Sequence, residues 1–252
     1  MKFIKILKNF KREISFKRYS IIFKLYRWQN KKRNPDFNKK IYKRIENNLI
    51  KILQHVYKKD ELIWIGDIKN DGSYPIHKSY KKSKWAISPG IGESTIFERE
   101  LVKNGISVTM LDLEKYRPKK LLKAYPEFCE FIPKFISSEN SEDTISLKNL
   151  INEKNSNNGI LQIDIEGAEW NLIRNTSIDI IKKASILIIE IHNFHELILP
   201  SQAEDKIKVL EKILNNYKVL WARRNTTSPL IKWRGFMIPD VIEISMIRSD
   251  IV

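Results

Sequence analysis

Hydrophobic positions in the first 60 residues recur every three or four places, with lysines and arginines between them. The pattern runs through residues 4–28 and again through 38–57, with a break at Asn34-Pro35-Asp36-Phe37. This period is typical of amphipathic helices, and a proline after an asparagine commonly separates two of them. The sequence therefore predicts basic helices here, whose apolar face either packs on the rest of the chain or lies in a membrane interface.

From Leu62 onward, short apolar runs separated by Gly, Asp, Asn and Ser alternate with helical patterns. This alternation is typical of a parallel α/β sheet, and the run 185–191 (SILIIEI) suits a central strand covered on both faces. Strands are predicted at 85–88, 108–111, 130–136, 160–164, 186–191, 217–221 and 241–247, and helices at 94–104, 146–155, 168–174 and 203–215. The predicted organisation is a basic helical extension over residues 1–60 and an α/β domain over residues 61–252.

Composition and charge narrow the class of protein. A 252-residue chain that is 42% hydrophobic can bury a sizeable core, which excludes wholesale disorder. Residues 1–60 hold 19 Lys and Arg against 4 Asp and Glu, so almost all of the net charge of +16 lies there. The single cysteine, Cys129, excludes an internal disulfide framework and a zinc site made of several thiolates. Because every apolar run is too short for a transmembrane helix and no signal-peptide pattern is present, we expect a cytoplasmic protein.

A glycine loop follows the first predicted strand of the domain, in residues 85–94 (WAISPGIGES). Such a loop lets backbone approach a ligand and directs helix N-terminal amides towards it. Asp112 closes the second strand, 22 positions after Gly90, where a carboxylate can accept both hydroxyls of a ribose. The alternative is a tight turn followed by a strand-terminal aspartate; we favour nucleoside binding.

Three carboxylates lie within six positions in residues 161–170 (LQIDIEGAEW). At the carboxyl end of a parallel strand they would line the crevice in which open α/β sheets bind ligands. Because like charges repel, one of them should have a raised pKa or a cationic partner, a useful property in a proton acceptor. Alternatively, Glu166 and Glu169 are favourable acids in the first turn of a helix that Asp164 caps. We favour this helical role for Glu169 but not for Asp164.

The run 188–193 (IIEIHN) delivers His192 at the end of a buried strand. This histidine is either a base or a hydrogen-bonded structural residue. His195 lies nearby, but two histidines with loop-borne acids do not make a metal signature, and we predict no metal site.

These motifs together resemble the FkbM-type methyltransferases, a family of S-adenosylmethionine-dependent enzymes often encoded with surface-polysaccharide genes. The matching residues are, in chain order, 71–74 (DGSY), 88–93 (SPGIGE), Asp112, 146–147 (SL), 161–170 (LQIDIEGAEW), 190–192 (EIH) and 238–243 (IPDVIE). The resemblance covers about residues 62–252 and leaves the basic N-terminus unexplained.

The resemblance implies a class I, Rossmann-like methyltransferase fold with a mostly parallel seven-stranded sheet and helices on both faces. It implies S-adenosylmethionine as cofactor and a sugar hydroxyl of a cell-surface polysaccharide or lipid-linked glycan as acceptor. The implied cofactor-binding residues are Ser88, Gly90, Ile91, Gly92, Glu93, Asp112 and Asp164. The implied catalytic residues are Asp164, Glu166 and His192, with Asp164 or His192 as base. Asp112 would bind the ribose.

The sequence departs from the family pattern at three places: Ser73-Tyr74-Pro75, Gln162, and 221–226 (WARRNT). These departures leave two alternatives open. The protein is either an enzyme with a different substrate or a catalytically silent binding module that docks on membrane or nucleic acid. A hydride-transferring dinucleotide enzyme is a third possibility, which Ser94 and the acid-rich fourth strand disfavour. Because apolar residues are interleaved with the charges of residues 1–33, that segment suits an anionic membrane surface better than nucleic acid.

Overall fold

The structure, a computed structural model, describes residues 35–53, 59–66, 72–92, 94–113, 117–225 and 228–251. Its strands are β1 (Leu62–Ile65), β2 (Tyr74–His77), β3 (Trp85–Pro89), β4 (Ser107–Leu111), β5 (Cys129–Ile132), β6 (Phe135–Ser137), β7 (Thr144–Ser146), β8 (Gly159–Ile163), β9 (Ala184–Ile191), β10 (Tyr217–Arg224), β11 (Leu230–Trp233), β12 (Phe236–Pro239) and β13 (Ile242–Arg248). Its α-helices are α1 (Pro35–Leu53), α2 (Ile96–Lys103), α3 (Lys119–Ala124), α4 (Leu147–Asn152), α5 (Glu169–Asn175), α6 (Ile178–Ile181) and α7 (Ala203–Leu214). Short 3₁₀ helices cover Lys59–Glu61, Lys78–Lys82 and Phe194–Ile198.

Seven strands form the central sheet in the order β10-β13-β9-β8-β3-β4-β5. The five strands from β9 to β5 are parallel to one another, and β13 is antiparallel to both β9 and β10. Every strand of this sheet corresponds to a strand that the sequence predicts. The predicted fold class, a mostly parallel seven-stranded α/β sheet, is therefore confirmed.

Successive residues of the central strand β9 enter two separate cores. Leu187 and Ile189 pack in one core with α4, α5 and α7, whereas Ile186 and Ile188 pack in the other with α2 and the β1–β2 hairpin. Both faces of the sheet are covered, which is why the strand reads as a continuous apolar run rather than an alternating one.

The apolar face of α1 packs against the α/β domain. Ile41, Ile45, Leu49 and Ile52 are buried in the larger core. Arg44 donates to both carboxylate oxygens of Glu211 on α7, at 2.9 and 2.6 Å. The sequence predicts that this apolar face either packs on the rest of the chain or lies in a membrane interface. In the structure, the face of α1 packs on the domain. The basic residues 1–33 lie outside the described residues.

Several short elements differ from the sequence prediction. The predicted strand 130–136 is two strands, β5 and β6, because Pro133 lacks the amide hydrogen needed to continue the ladder. The hairpins β1–β2 and β11–β12, the pair β6–β7 and the helices α3 and α6 were not predicted. No described helix combines the length and the hydropathy of a bilayer-spanning segment.

Candidate active site

The carboxyl ends of β3, β4 and β8 meet at one edge of the sheet and open a cleft of about 520 Å³. Its volume lies within the range of about 300–1,000 Å³ that is usual for small-molecule sites. The residues that line it come from the glycine loop, the acid-rich turn after β8 and the rim between them: Gly72, Tyr74, Gly90, Ile91, Gly92, Ser94, Phe97, Glu98, Asp112, Leu113, Phe135, Gln162, Asp164 and Glu166.

The glycine loop packs directly on the backbone of β8. Gly90 has a φ of +78°, and a Cβ atom there would lie 1.6 Å from the carbonyl oxygen of Asp164. Position 90 therefore requires glycine for two independent reasons, conformation and space. Gly92 also has a positive φ, +54°, but a Cβ atom there would have nothing within 4 Å, so its backbone faces open space. Glu93, also predicted to bind cofactor, lies outside the described residues.

Asp112 follows β4 and contacts the glycine loop at the edge of the cleft. Its Oδ1 accepts the amide of Leu113 at 2.6 Å, and its Oδ2 lies 3.4 Å from the amide of Gly92. The two contacts fix the carboxylate at the cleft edge through backbone amides alone. Its remaining acceptor capacity is available to a ligand with hydroxyl groups.

Ser88 lies beneath the loop, fully buried, and does not line the cleft. Its Oγ lies 2.6 Å from Oε1 of Glu98 and 2.8 Å from Oε1 of Gln162, and Gln162 in turn donates to the Tyr74 hydroxyl at 3.4 Å. A hydroxyl carries one hydrogen, so one partner of Ser88 must donate to it: a protonated Glu98, or the Gln162 amide turned round. Burial raises the pKa of Glu98 to about 7, against the lowering effect of the Ser88 hydrogen bond.

The turn after β8 is held in an uncommon conformation by a buried acid. Glu166 and Gly167 both have positive φ, +55° and +109°, and a non-glycine residue in this region carries backbone strain. Oε1 of Glu169 accepts the amides of Ile165 and Gly167, at 2.9 and 3.1 Å. The turn directs Glu166 outwards, with 90% of its side chain exposed.

His192, at the end of β9, contacts the same buried acid. Its Nδ1 lies 3.1 Å from Oε1 of Glu169, while its Nε2 lies 3.5 Å from Glu166 Oε2 and 3.9 Å from Glu190 Oε1. The hydrogen bond to Glu169 fixes the orientation of the ring, so that Nε2 points towards Glu166 and Glu190. His192 thus joins the cluster of acids although it does not itself line the cleft.

The protonation states of Asp164 and His192 are linked. Burial and the neighbouring Glu190 raise the pKa of Asp164 to about 8, against the lowering effect of His192. Burial lowers the pKa of His192, but the hydrogen bond to Glu169 and the charges of Glu169, Asp164 and Glu166 outweigh it and raise the pKa to about 9. For Glu169, burial is outweighed by the hydrogen bonds from His192 and Gly167, which leave its pKa lowered. Glu169 is therefore the permanent anion of the group, and Asp164 and His192 hold exchangeable protons.

Asp164, Glu190 and His192 bring ligand atoms within 4.8 Å of one another. Glu190 also accepts a hydrogen bond of 3.0 Å from Asn225, one of the residues at which the sequence departs from the family pattern. The raised pKa of His192 favours the protonated imidazole at neutral pH, so the cluster contains its own cation, and a metal ion would have to displace that proton to bind the ring. We therefore interpret the three residues as a proton-sharing cluster and assign no metal ion to them.

The predicted residues Gly90, Ile91, Gly92, Asp112, Asp164 and Glu166 all line one cleft. The sequence pattern assigns no such role to three buried acids of the site, which are Glu98, Glu190 and Glu169. Glu169 was interpreted as an acid of the first helical turn. It does begin α5, yet it has no exposed surface and organises both the turn and His192. A signal for Glu98 and Glu190 was present, since each is an acid among apolar residues of a buried helix face or strand.

Comparisons with known proteins identify the family of this chain. Residues 68–217 match the family described as the methyltransferase FkbM domain. No curated protein matches the chain. Similar solved structures include the fibrillarin pre-rRNA processing protein of Methanococcus jannaschii, with 11% identity, a TM-score of 0.40 and coverage of 68% of both chains. Another is the N-methyltransferase NodS of Bradyrhizobium japonicum, with 7% identity, a TM-score of 0.37 and coverage of 66% of this chain and 85% of NodS.

The family match spans more than half of the chain and contains the glycine loop, Asp112, the acid-rich turn and His192. The chain therefore belongs to the FkbM methyltransferase domain family and is an S-adenosylmethionine-dependent methyltransferase.

Proposed function

We propose that the enzyme is an O-methyltransferase whose acceptor is a sugar hydroxyl of a cell-surface polysaccharide or a lipid-linked glycan. The observation that carries the proposal is the pairing of His192 with the buried Glu169, next to Glu166 of the cleft lining, where a base is needed to take the proton of a hydroxyl. An imidazole with one nitrogen fixed by a carboxylate is the arrangement by which proteins orient a general base.

The cleft fits the cofactor in its size and in the open backbone at Gly92. We assign Gly90, Ile91 and Gly92 to the cofactor's backbone contacts and Asp112 to its ribose hydroxyls. When bound, S-adenosylmethionine supplies an electrophilic methyl group on a positively charged sulfur. Asp164 contacts the loop through its carbonyl oxygen and lines the same cleft, so we place it beside the reacting methyl.

His192 accepts the proton of the attacking hydroxyl on Nε2. Glu169 holds Nδ1–H and stabilises the imidazolium that results. Only the neutral imidazole can act in this way, so catalysis depends on the fraction of His192 that has lost its proton. The nearby acids Asp164 and Glu166 raise the pKa of His192 and so lower that fraction.

Two features at the cleft support a sugar acceptor. Phe135 and Leu113 line it with half-exposed apolar side chains, 51% and 39% exposed, which can cover the C–H face of a sugar ring. Glu166 extends from the strained turn with an exposed carboxylate that can accept sugar hydroxyls. A cleft that combines apolar side chains with acceptor oxygens matches the chemistry of a pyranose, which has apolar C–H faces and polar hydroxyls.

The acceptor is tested with methyl-labelled S-adenosylmethionine and a panel of p-nitrophenyl glycosides of hexoses and deoxyhexoses. We expect label in an O-methyl sugar after acid hydrolysis, and a loss of about 10²- to 10⁴-fold in turnover for His192→Ala, the usual contribution of a general base. Nucleic acid and a peptide mixture serve as alternative acceptors. Label in either of these and in no glycoside would contradict the sugar assignment.

We propose that residues 1–33 bind the enzyme to an anionic membrane surface, where a lipid-linked glycan would be found. Support comes from the interleaved basic and apolar residues of this segment. Since the apolar face of α1 is already buried in the domain, we assign the membrane contact to the residues before this helix.

Sedimentation with phosphatidylglycerol vesicles should retain the full chain and lose it at high salt, whereas a chain lacking residues 1–33 should remain in solution. This deletion spares α1, whose removal would expose the core. Equal sedimentation of the two chains would rule out the membrane role.

A further inference from the structure

Glu98 is a buried acid that lines the cleft. It has no role in the methyl transfer proposed above. It lies in the first turn of α2, directly after the glycine loop, and is 4% exposed. Its side chain lines the cleft together with Gly90, Gly92 and Asp164. A carboxyl group this deeply buried needs a partner for each oxygen, because desolvation without a hydrogen bond is costly.

The protein supplies a partner for one of the two oxygens. Oε1 lies 2.6 Å from the Ser88 hydroxyl, which is itself anchored by Gln162. Oε2 is buried and has no hydrogen-bond partner among the residues that the structure describes. Oε1 is thus held in place by Ser88, and Oε2 can accept a hydrogen bond from a ligand.

The charge of the cleft indicates what kind of donor fits. Its described lining contains four acids, Glu98, Asp112, Asp164 and Glu166, and no lysine or arginine. S-adenosylmethionine carries two cationic groups, of which the sulfonium has no hydrogen to donate and the α-ammonium has three. An unpartnered carboxylate oxygen is therefore suited to the ammonium and not to the sulfonium.

We propose that Glu98 binds the α-ammonium group of S-adenosylmethionine through Oε2, with Ser88 as the residue that positions its carboxyl group. This makes Glu98 the residue that distinguishes a cofactor with an intact amino-acid portion from a bare nucleoside thioether. The inference rests on the cofactor of the proposed methyl transfer and holds for any acceptor. Burial raises the pKa of Glu98 to about 7, and an ammonium partner would lower that pKa and hold the group ionised.

The test is calorimetric binding of two ligands that differ in the amino-acid portion, S-adenosylhomocysteine and 5′-methylthioadenosine. Glu98→Gln keeps the acceptor towards Ser88 but removes the negative charge. We expect it to weaken S-adenosylhomocysteine about 10- to 100-fold, the usual value of a charge-assisted hydrogen bond, and to leave 5′-methylthioadenosine within about twofold. Equal effects on both ligands, or none on either, would overturn the proposal.

Two further variants make the result specific. Asp112→Asn should weaken both ligands alike, because both contain the ribose. Glu100→Gln changes an acid of the same helix that accepts the Gly66 amide, a contact that glutamine can keep, and should leave both affinities unchanged. Thermal unfolding of each variant reports whether it is folded.

One measurement needs no variant. The wild-type chain should bind S-adenosylhomocysteine about 10- to 100-fold more tightly than its deaminated analogue; equal affinities would overturn the proposal even if Glu98→Gln fails to fold. If the wild type binds neither nucleoside ligand, the cofactor site itself is wrong. If both bind and no glycoside is methylated, only the acceptor assignment fails.

Discussion

Nδ1 of His192 lies 3.1 Å from Oε1 of Glu169, a carboxylate with no exposed surface. The same oxygen accepts the amides of Ile165 and Gly167. One buried side chain therefore fixes both the imidazole and the turn that carries Glu166. The turn follows β8, and His192 follows β9. The contact with Glu169 therefore links the carboxyl ends of these two neighbouring strands.

Turnover should rise with pH through the neutral range. The pKa of Asp164 is raised to about 8 and that of His192 to about 9, so both groups carry protons at neutral pH. The neutral imidazole, which is the form that accepts a proton, accumulates only as pH rises towards the pKa. We expect kcat to increase between about pH 7 and 9 and then level off, as measured by methyl-label transfer in buffers of constant ionic strength. A flat profile would show that no proton-accepting group of this cluster limits the rate.

Glu169→Gln should move this profile to lower pH. The substitution removes the negative charge that stabilises the imidazolium, so the pKa of His192 falls. Maximal kcat should also decrease, because glutamine can present its amide nitrogen to the backbone amides and disturb the turn. Glu166→Gln is the matched control: its carboxylate is 3.5 Å from Nε2 but largely exposed, so water screens it and the shift should be smaller.

Gly90→Ala should abolish cofactor binding and lower stability. The new Cβ would lie 1.6 Å from the Asp164 carbonyl oxygen, so the glycine loop and β8 would have to separate. Gly105→Ala provides the control, because Gly105 has nearly the same φ, +76°, with nothing within 4 Å of a Cβ. It should cost about 1–2 kcal/mol of unfolding free energy from left-handed strain alone and leave S-adenosylhomocysteine binding intact. The comparison, by calorimetry and denaturant unfolding, separates steric contact from conformation.

Leu49→Ala should destabilise the whole enzyme although it lies before the α/β domain in sequence. Leu49 is 1% exposed in the larger core, whereas Leu53, one turn further along α1, is 46% exposed. We expect a loss of about 2–5 kcal/mol for Leu49→Ala and under about 0.5 kcal/mol for Leu53→Ala. If denaturant unfolding gave similar values for the two, α1 would not be part of the cooperative unit.

Chelation should leave the activity unchanged. His192 supplies the positive charge that Asp164 and Glu190 would otherwise draw from a metal ion. Incubation with EDTA followed by gel filtration into metal-free buffer should therefore preserve methyl transfer. Restoration of a lost activity by magnesium or manganese would instead identify the cluster as a metal site.

The strands of the central sheet could be predicted because each is a short apolar run with a distinct end. Buried parallel strands place apolar residues on both faces, a pattern that needs no knowledge of the partner strands. The small hairpins could not be predicted in this way. In β11–β12, the left-handed turn at Arg234-Gly235 is marked only by one glycine, and its burial depends on contact with α1, such as that between Trp233 and Tyr42.

For the site, sequence reasoning found the residues that end strands and missed those whose role comes from tertiary packing. Asp112, Asp164 and His192 follow buried strands, so their place at the sheet edge is set by local pattern. Glu98 and Glu169 lie in the first turn of helices, where an acid is favourable in any case. Only the packing of those helices against β3, β8 and β9 shows that their carboxylates turn inwards.

The four acids in the described lining of the cleft have a consequence for the catalytic cycle. Each transfer converts a positively charged sulfur into a neutral thioether, so the acidic lining of the cleft loses an electrostatic partner when the reaction is complete. The spent nucleoside is then held less firmly than the next donor molecule. Product inhibition should accordingly be weak, and it should grow as added salt screens the carboxylates that discriminate between the two.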